Sequence, residues 1–155
     1  MSYSPSSPLT GAAQTGFTSP TYTLTSDIAP DSNGIQYAVT ALGGTQTGVD
    51  THSVSKPFTI TAVRPKTFKP LGRLNPVTGV VTQVPRNVWK FILRKGVSPL
   101  SGQADVPMLG YLVFEVPAGS DLADPENIRA GVSALIGLAS DQSTEIGDAL
   151  VSGLL

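Results

Sequence analysis

Lys90 and Arg94 stand four residues apart in Val88-Trp89-Lys90-Phe91-Ile92-Leu93-Arg94-Lys95, where β-branched and aromatic side chains alternate with basic ones. A strand with that alternation turns Trp89, Phe91 and Leu93 to one side and Lys90, Ile92 and Arg94 to the other. One side can bury and the other can meet a polyanion. A second alternating stretch, Phe58-Thr59-Ile60-Thr61-Ala62-Val63-Arg64, sets Phe58, Ile60 and Ala62 inward and Thr59 and Thr61 toward solvent or a ligand. Tyr111 shares a face with Val113 and Glu115 in a third stretch, Leu109 to Val116, with Leu112, Phe114 and Val116 opposite. A basic, threonine-lined sheet face with an aromatic nearby offers phosphate neutralisation and a stacking platform, which suit single-stranded or looped RNA. Tyr111 serves equally well as ordinary cross-strand packing. Trp89 and Phe91 read as core.

Nine of the ten basic residues lie between Lys56 and Lys95, and all eleven acidic residues lie outside that segment. A net charge of −1 therefore conceals a segment of +9 against a remainder of −10. The competing reading scatters these bases over both faces and a protruding hairpin as solvated surface, with Lys66, Lys69 and Arg73 the most exposed to that objection. At 155 residues the chain has one domain's length, and only 14 % of it is charged, so little self-repulsion keeps it solitary.

Enzymatic constellations are missing from the sequence. With one histidine and no cysteine, neither a Cys–His pair nor a zinc site of usual spacing can be assembled, and a disulfide framework is excluded. Glu145, Asp148 and Asp141 are explained by helix starts and wet helix faces. No Gly-x-x-x-x-Gly-Lys pattern is present. His52, in a Ser/Thr-rich turn, reads as a surface residue. No basic start with an apolar run opens the chain, and no apolar run approaches 18 residues. The expectation is a non-enzyme with no cofactor, no small-molecule substrate, no metal and no membrane partner.

These residues must be positioned by a strand-rich scaffold, because 13 Pro and 16 Gly among many Thr, Ser and Val favour short strands and turns. Residues 1–19 have no apolar period and read as a flexible or loosely docked arm. Strands are expected at Thr21–Thr25, Ile35–Ala41, Phe58–Arg64, Asn87–Lys95 and Leu109–Val116. Arg64 breaks its strand's parity, so a bulge or an end is expected near Val63. Gly43 to Asp50 reads as a connection, Pro65 to Pro85 as a protruding hairpin around Asn75-Pro76-Val77-Thr78-Gly79, and Gly96 to Pro107 as a loop of about twelve residues. Asp124-Pro125-Glu126 starts a helix with its apolar stripe at Ile128, Val132, Leu135, Ile136 and Ala139, and a second helix carries Ile146, Leu150 and Leu154. Strands followed by helices make an α+β chain, with residues 20–117 β-rich and 121–155 helical. Two glycine-containing helices are a thin cover for such a sheet, and a dimer lending helices to its neighbour would complete it.

In the order and spacing of these motifs, from about Phe58 to Leu155, the chain resembles the coat protein of a single-stranded RNA bacteriophage of the levivirus type. That resemblance implies an N-terminal β-hairpin and five-stranded antiparallel sheet followed by two C-terminal helices, in an interlocked homodimer that builds an icosahedral shell. It implies a virion component assembled in the bacterial host cytoplasm, with genomic RNA on the inner sheet face and replicase translation repressed through an RNA hairpin. Thr59, Thr61, Lys90, Arg94 and Tyr111 match positions of the family's RNA face, while Val113 stands where several members have Asn. Gly96 to Pro107 matches the loop at the shell's symmetry axes. Two readings compete: a tail or surface-fibre β-module that binds no RNA, and a free RNA-binding regulator.

Overall fold

The computed structural model describes residues 3–154. Six strands form one antiparallel sheet in chain order: β1 (Leu9–Thr10), β2 (Thr18–Asp27), β3 (Gly34–Thr45), β4 (Phe58–Val63), β5 (Arg86–Val97) and β6 (Val106–Pro117). The helices α1 (Ser120–Ala123), α2 (Pro125–Asp141) and α3 (Ser143–Ser152) follow. The strand-then-helix order is as expected from the sequence. The strand count differs slightly from the expected N-terminal hairpin and five-stranded sheet: six strands make one sheet, in which β3 pairs with β4 from Gly34 opposite Val63 to Ala38 opposite Thr59. Of the stretch read as an arm, the described residues from Tyr3 onward include some with fixed partners. Leu9 and Thr10 pair with Tyr22 and Thr21, and the Ser7 hydroxyl bonds both the N–H and the carbonyl of Leu24.

Cross-strand pairing divides the side chains into two faces. Leu24, Val39 and Phe58 form the buried centre of the apolar face, with Tyr22, Tyr37, Leu42, Ile60 and Leu93 packed around them. An aromatic row continues it: Phe91 lies 5.7 Å from Tyr3 and 6.2 Å from Phe114. β4 ends at Val63 and the chain departs at Arg64, where the alternation fails.

The loop after β5 is shorter than its Pro and Gly content suggests. Gly96 pairs with Pro107 and Val97 with Val106, so only residues 98–105 are free of the ladder. Gly96 is required there, since a Cβ would come within 2.8 Å of the Lys56 Cα. β3 likewise continues through Gly43 and Gly44 to Thr45, into what reads as a connection.

Asp124 caps α2, its carboxylate accepting from the Asn127 N–H with Pro125 following, as its sequence suggests. Neither α2 nor α3 has a buried residue. Their principal contacts run to each other and to α1, and α1 packs on β6. α3 is tethered at its start, where Gln14 donates to the Ser143 carbonyl at 2.7 Å, and at its middle, where Thr15 donates to Asp148 at 2.9 Å. The exposed surface is 10,836 Å², where a compact monomer of this length would expose about 7,400 Å².

Candidate nucleic-acid interface

The polar face is built by the same register that builds the core. Thr59 lies opposite Arg94, Thr61 opposite Ile92, and Val63 opposite Lys90. Across the next ladder Ile92 faces Tyr111, Lys90 faces Val113 and Arg94 faces Leu109. Thr59, Thr61, Lys90, Arg94 and Tyr111 therefore share one side of the sheet, opposite Phe58, Trp89, Phe91 and Phe114. Lys90 is exposed, Arg94 half-buried, and Tyr111 59 % exposed.

The two threonines depart from expectation. Thr59 and Thr61 are only 3 % and 4 % exposed, together with Gln36 at 7 % and Ala38 at 6 %. Short side chains on central strands lie below the reach of longer neighbours such as Arg94 and Ile92, so they form a floor rather than a solvent-facing row. Thr61 donates to Gln36 at 2.8 Å, and the Gln36 amide donates to Asp27 at 2.6 Å. That amide, with the Ile28 N–H, holds the Asp27 carboxyl below the usual carboxylate range. The Thr59 hydroxyl oxygen is buried without a hydrogen-bond partner.

The run of bases in the sequence becomes several separate sites in space. Lys56 is paired with Asp50 at 2.7 Å and with Asp105 at 3.7 Å, Lys66 with Asp31 at 2.9 Å, and Arg86 with Glu115 at 3.2 Å. Lys95 is on the apolar side, its ammonium 4.5 Å from the centre of the Phe58 ring and donating to the Asp50 carbonyl. Burial lowers the Lys95 pKa. Among the described residues Lys90 and Arg94 have no ion-pair partner, which leaves them as the available charge of this face.

Gln36 and Asp27 are members of this face that periodicity alone did not mark. Gln36 alternates with Ile35 and Tyr37, but only its pairing with Thr61 assigns it to the polar side. His52, read as a plain surface residue, accepts the Phe58 N–H on Nδ1 at 3.0 Å and so braces the entry to β4.

A sheet with one aromatic, incompletely covered side and one polar side bearing free cations, followed by helices that leave their own sheet, defines a protein built to associate with copies of itself. No family model and no curated protein matches the chain. Among solved structures, a virus-like particle of bacteriophage ESE020 is 58 % identical, with 99 % of this chain and 100 % of that chain covered and a TM-score of 0.96. A virus-like particle of Wenzhou levi-like virus 4 is 19 % identical over 93 % of this chain and 85 % of that one, with a TM-score of 0.49. The chain belongs to the coat proteins of levivirus-type single-stranded RNA bacteriophages. It is a structural capsid protein, and the tail-fibre alternative is set aside.

Proposed function

We propose that residues 1–155 form a single coat-protein domain that assembles through interlocked dimers into an icosahedral shell, with single-stranded genomic RNA held on the polar sheet face. The observation that carries the RNA reading is the meeting of unpaired Lys90 and Arg94 with exposed Tyr111 on one side of the sheet. Two cations provide phosphate contacts, and an exposed phenol ring provides a surface on which an unpaired base stacks. Thr59 adds an unsatisfied oxygen beneath Arg94, open to a base edge when the long Arg94 side chain swings aside. Thr61, occupied by Gln36, acts by keeping that floor in shape.

The dimer reading is supported by two incomplete surfaces that fit each other. The aromatic face of the sheet lacks a cover from its own α2 and α3, while Leu135 and Ile136 on α2 are 41 % and 50 % exposed. The surplus surface of about 3,400 Å² per chain, about 6,800 Å² for two, exceeds the roughly 2,000–5,000 Å² total that most obligate dimer interfaces bury, leaving surface for further contacts between copies. Repression of replicase translation through an RNA hairpin is the narrower part of this reading, using the same face. The setting would be the virion, with assembly in the host cytoplasm.

Expressed alone in bacteria, the protein should elute as large particles with strong absorbance at 260 nm that survives external nuclease. A stable monomer at micromolar concentration, free of nucleic acid, would remove the reading.

A further inference from the structure

The segment between β4 and β5 is the largest feature that neither face of the sheet accounts for. Its root is fixed on the apolar side: the Phe68 ring lies 5.8 Å from Trp89, and the Asn87 side chain bonds both the N–H and the carbonyl of Lys69, at 2.8 and 3.1 Å. Leu71 lies against the backbone at Gly119. Beyond this root the chain makes a preorganised tip. Leu74 bridges Val81, Asn75 donates to the Val80 carbonyl at 3.0 Å, and the Asn75 side-chain oxygen accepts from the Val77 N–H at 2.9 Å. A tip held by its own hydrogen bonds presents Leu74, Val77 and Val80 at 62 %, 90 % and 62 % exposure. Lys69 and Arg73 accompany them without an ion-pair partner among the described residues.

An apolar tip flanked by free cations fits an apolar surface flanked by free carboxylates. This chain carries one at the corner between α2 and α3. Leu138 is 61 % exposed and Ile146 45 %, and Asp141 and Glu145 beside them have no ion pair among the described residues. A two-fold dimer contact alone closes no shell, because a second, heterologous contact must join one dimer to the next. Fixing the root on the apolar side also removes Lys69 and Arg73 from the face that holds Lys90, Arg94 and Tyr111.

We propose that the 65–85 hairpin is an inter-dimer clasp, its Lys69, Arg73, Leu74 and Val77 docking on the Leu138–Asp141–Glu145 corner of a neighbouring copy. The clasp rests on the shell reading above and specifies a contact within it.

The test compares wild type, Lys69→Glu with Arg73→Glu, and Leu74→Ser with Val77→Ser, by sedimentation and by RNA content per subunit. Both variants should stay dimeric and bind RNA as dimers, while the concentration needed for half of the protein to enter particles rises by about tenfold. Adding Asp141→Lys with Glu145→Lys to the first variant should restore assembly. Particles forming as in wild type would overturn the clasp, as would assembly lost but not restored by the reversed charges. Particles formed in normal yield but depleted of RNA would make the hairpin a nucleic-acid contact instead. Wild-type protein that never forms particles would defeat the shell reading itself, and the clasp with it.

Discussion

Two neighbouring threonines on one strand play different parts, and their hydrogen bonds say which. Thr61 donates to Gln36 in a buried position, so Thr61→Val should cost about 1 kcal/mol by leaving the Gln36 oxygen unpaired. Thr59 has no partner, so Thr59→Val should leave the unfolding midpoint nearly unchanged in a denaturant titration while weakening RNA binding. A large loss of stability in Thr59→Val would mean that its hydroxyl is satisfied in the folded protein. Lys90 and Arg94 make no ion pair, so Lys90→Ala with Arg94→Ala should leave the dimer folded and reduce RNA content. For four side chains lost per dimer, the slope of log affinity against log salt should become shallower by about 3. Loss of folding from that double change would mean that these side chains pack rather than bind. The bases were visible in the sequence, but their availability was not. Asp31, Glu115 and Asp105 come from distant parts of the chain, and Asp50 from the loop just before Lys56, to neutralise three of the nine.

Among the elements, the loop after β5 is the one whose shape depends on charge. Lys56 reaches Asp50 and Asp105, Ser98 donates to Asp105, and Lys95 donates to the Asp50 carbonyl. These contacts hold both ends of residues 98–105 and leave the tip to vary. The hydrogen bond and charge of Lys56 lower the Asp50 pKa, so its contribution is present above about pH 4 and is lost as pH falls through the lower folded value. Asp50, with Asp105, raises the Lys56 pKa, so that contribution holds up to about pH 10 and is lost as pH rises through the raised value. Hydrogen exchange over residues 98–105, taken relative to the intrinsic amide rate at each pH, should stay constant between those limits and should accelerate in acid. Asp105→Asn should accelerate it already at pH 7. Alternation revealed β4, β5 and β6 in the sequence, and the Asp-Pro-Glu start revealed α2. The strand ends were hidden, because Gly96 and Pro107 read as loop residues, although Gly96 is there to let β5 pass close to Lys56.

The molecule as a whole is a chain that does not finish its own core. Only Leu24, Ala38, Val39, Phe58 and Ala118 are buried apolar residues among those described, far fewer than a solitary domain of this length needs. The helices hold what the sheet lacks, and the sheet offers what the helices lack. Val132→Asp with Leu135→Asp should therefore abolish the dimer in sedimentation runs, rather than merely lower its stability. A soluble, folded dimer of this variant would show that α2 lies at no interface. Sequence periodicity gave the stripe on α2, but whether that stripe meets its own sheet or another's depends on where α1 directs the chain after β6, which no local pattern encodes.

The most direct measurement is electron cryomicroscopy of particles made by the protein expressed alone. Closed shells are expected, with α2 and α3 of each chain lying over the aromatic face of a twin's sheet and RNA density against the side carrying Lys90, Arg94 and Tyr111. Helices folded over their own sheet, or RNA density on the Trp89 and Phe91 side, would contradict this.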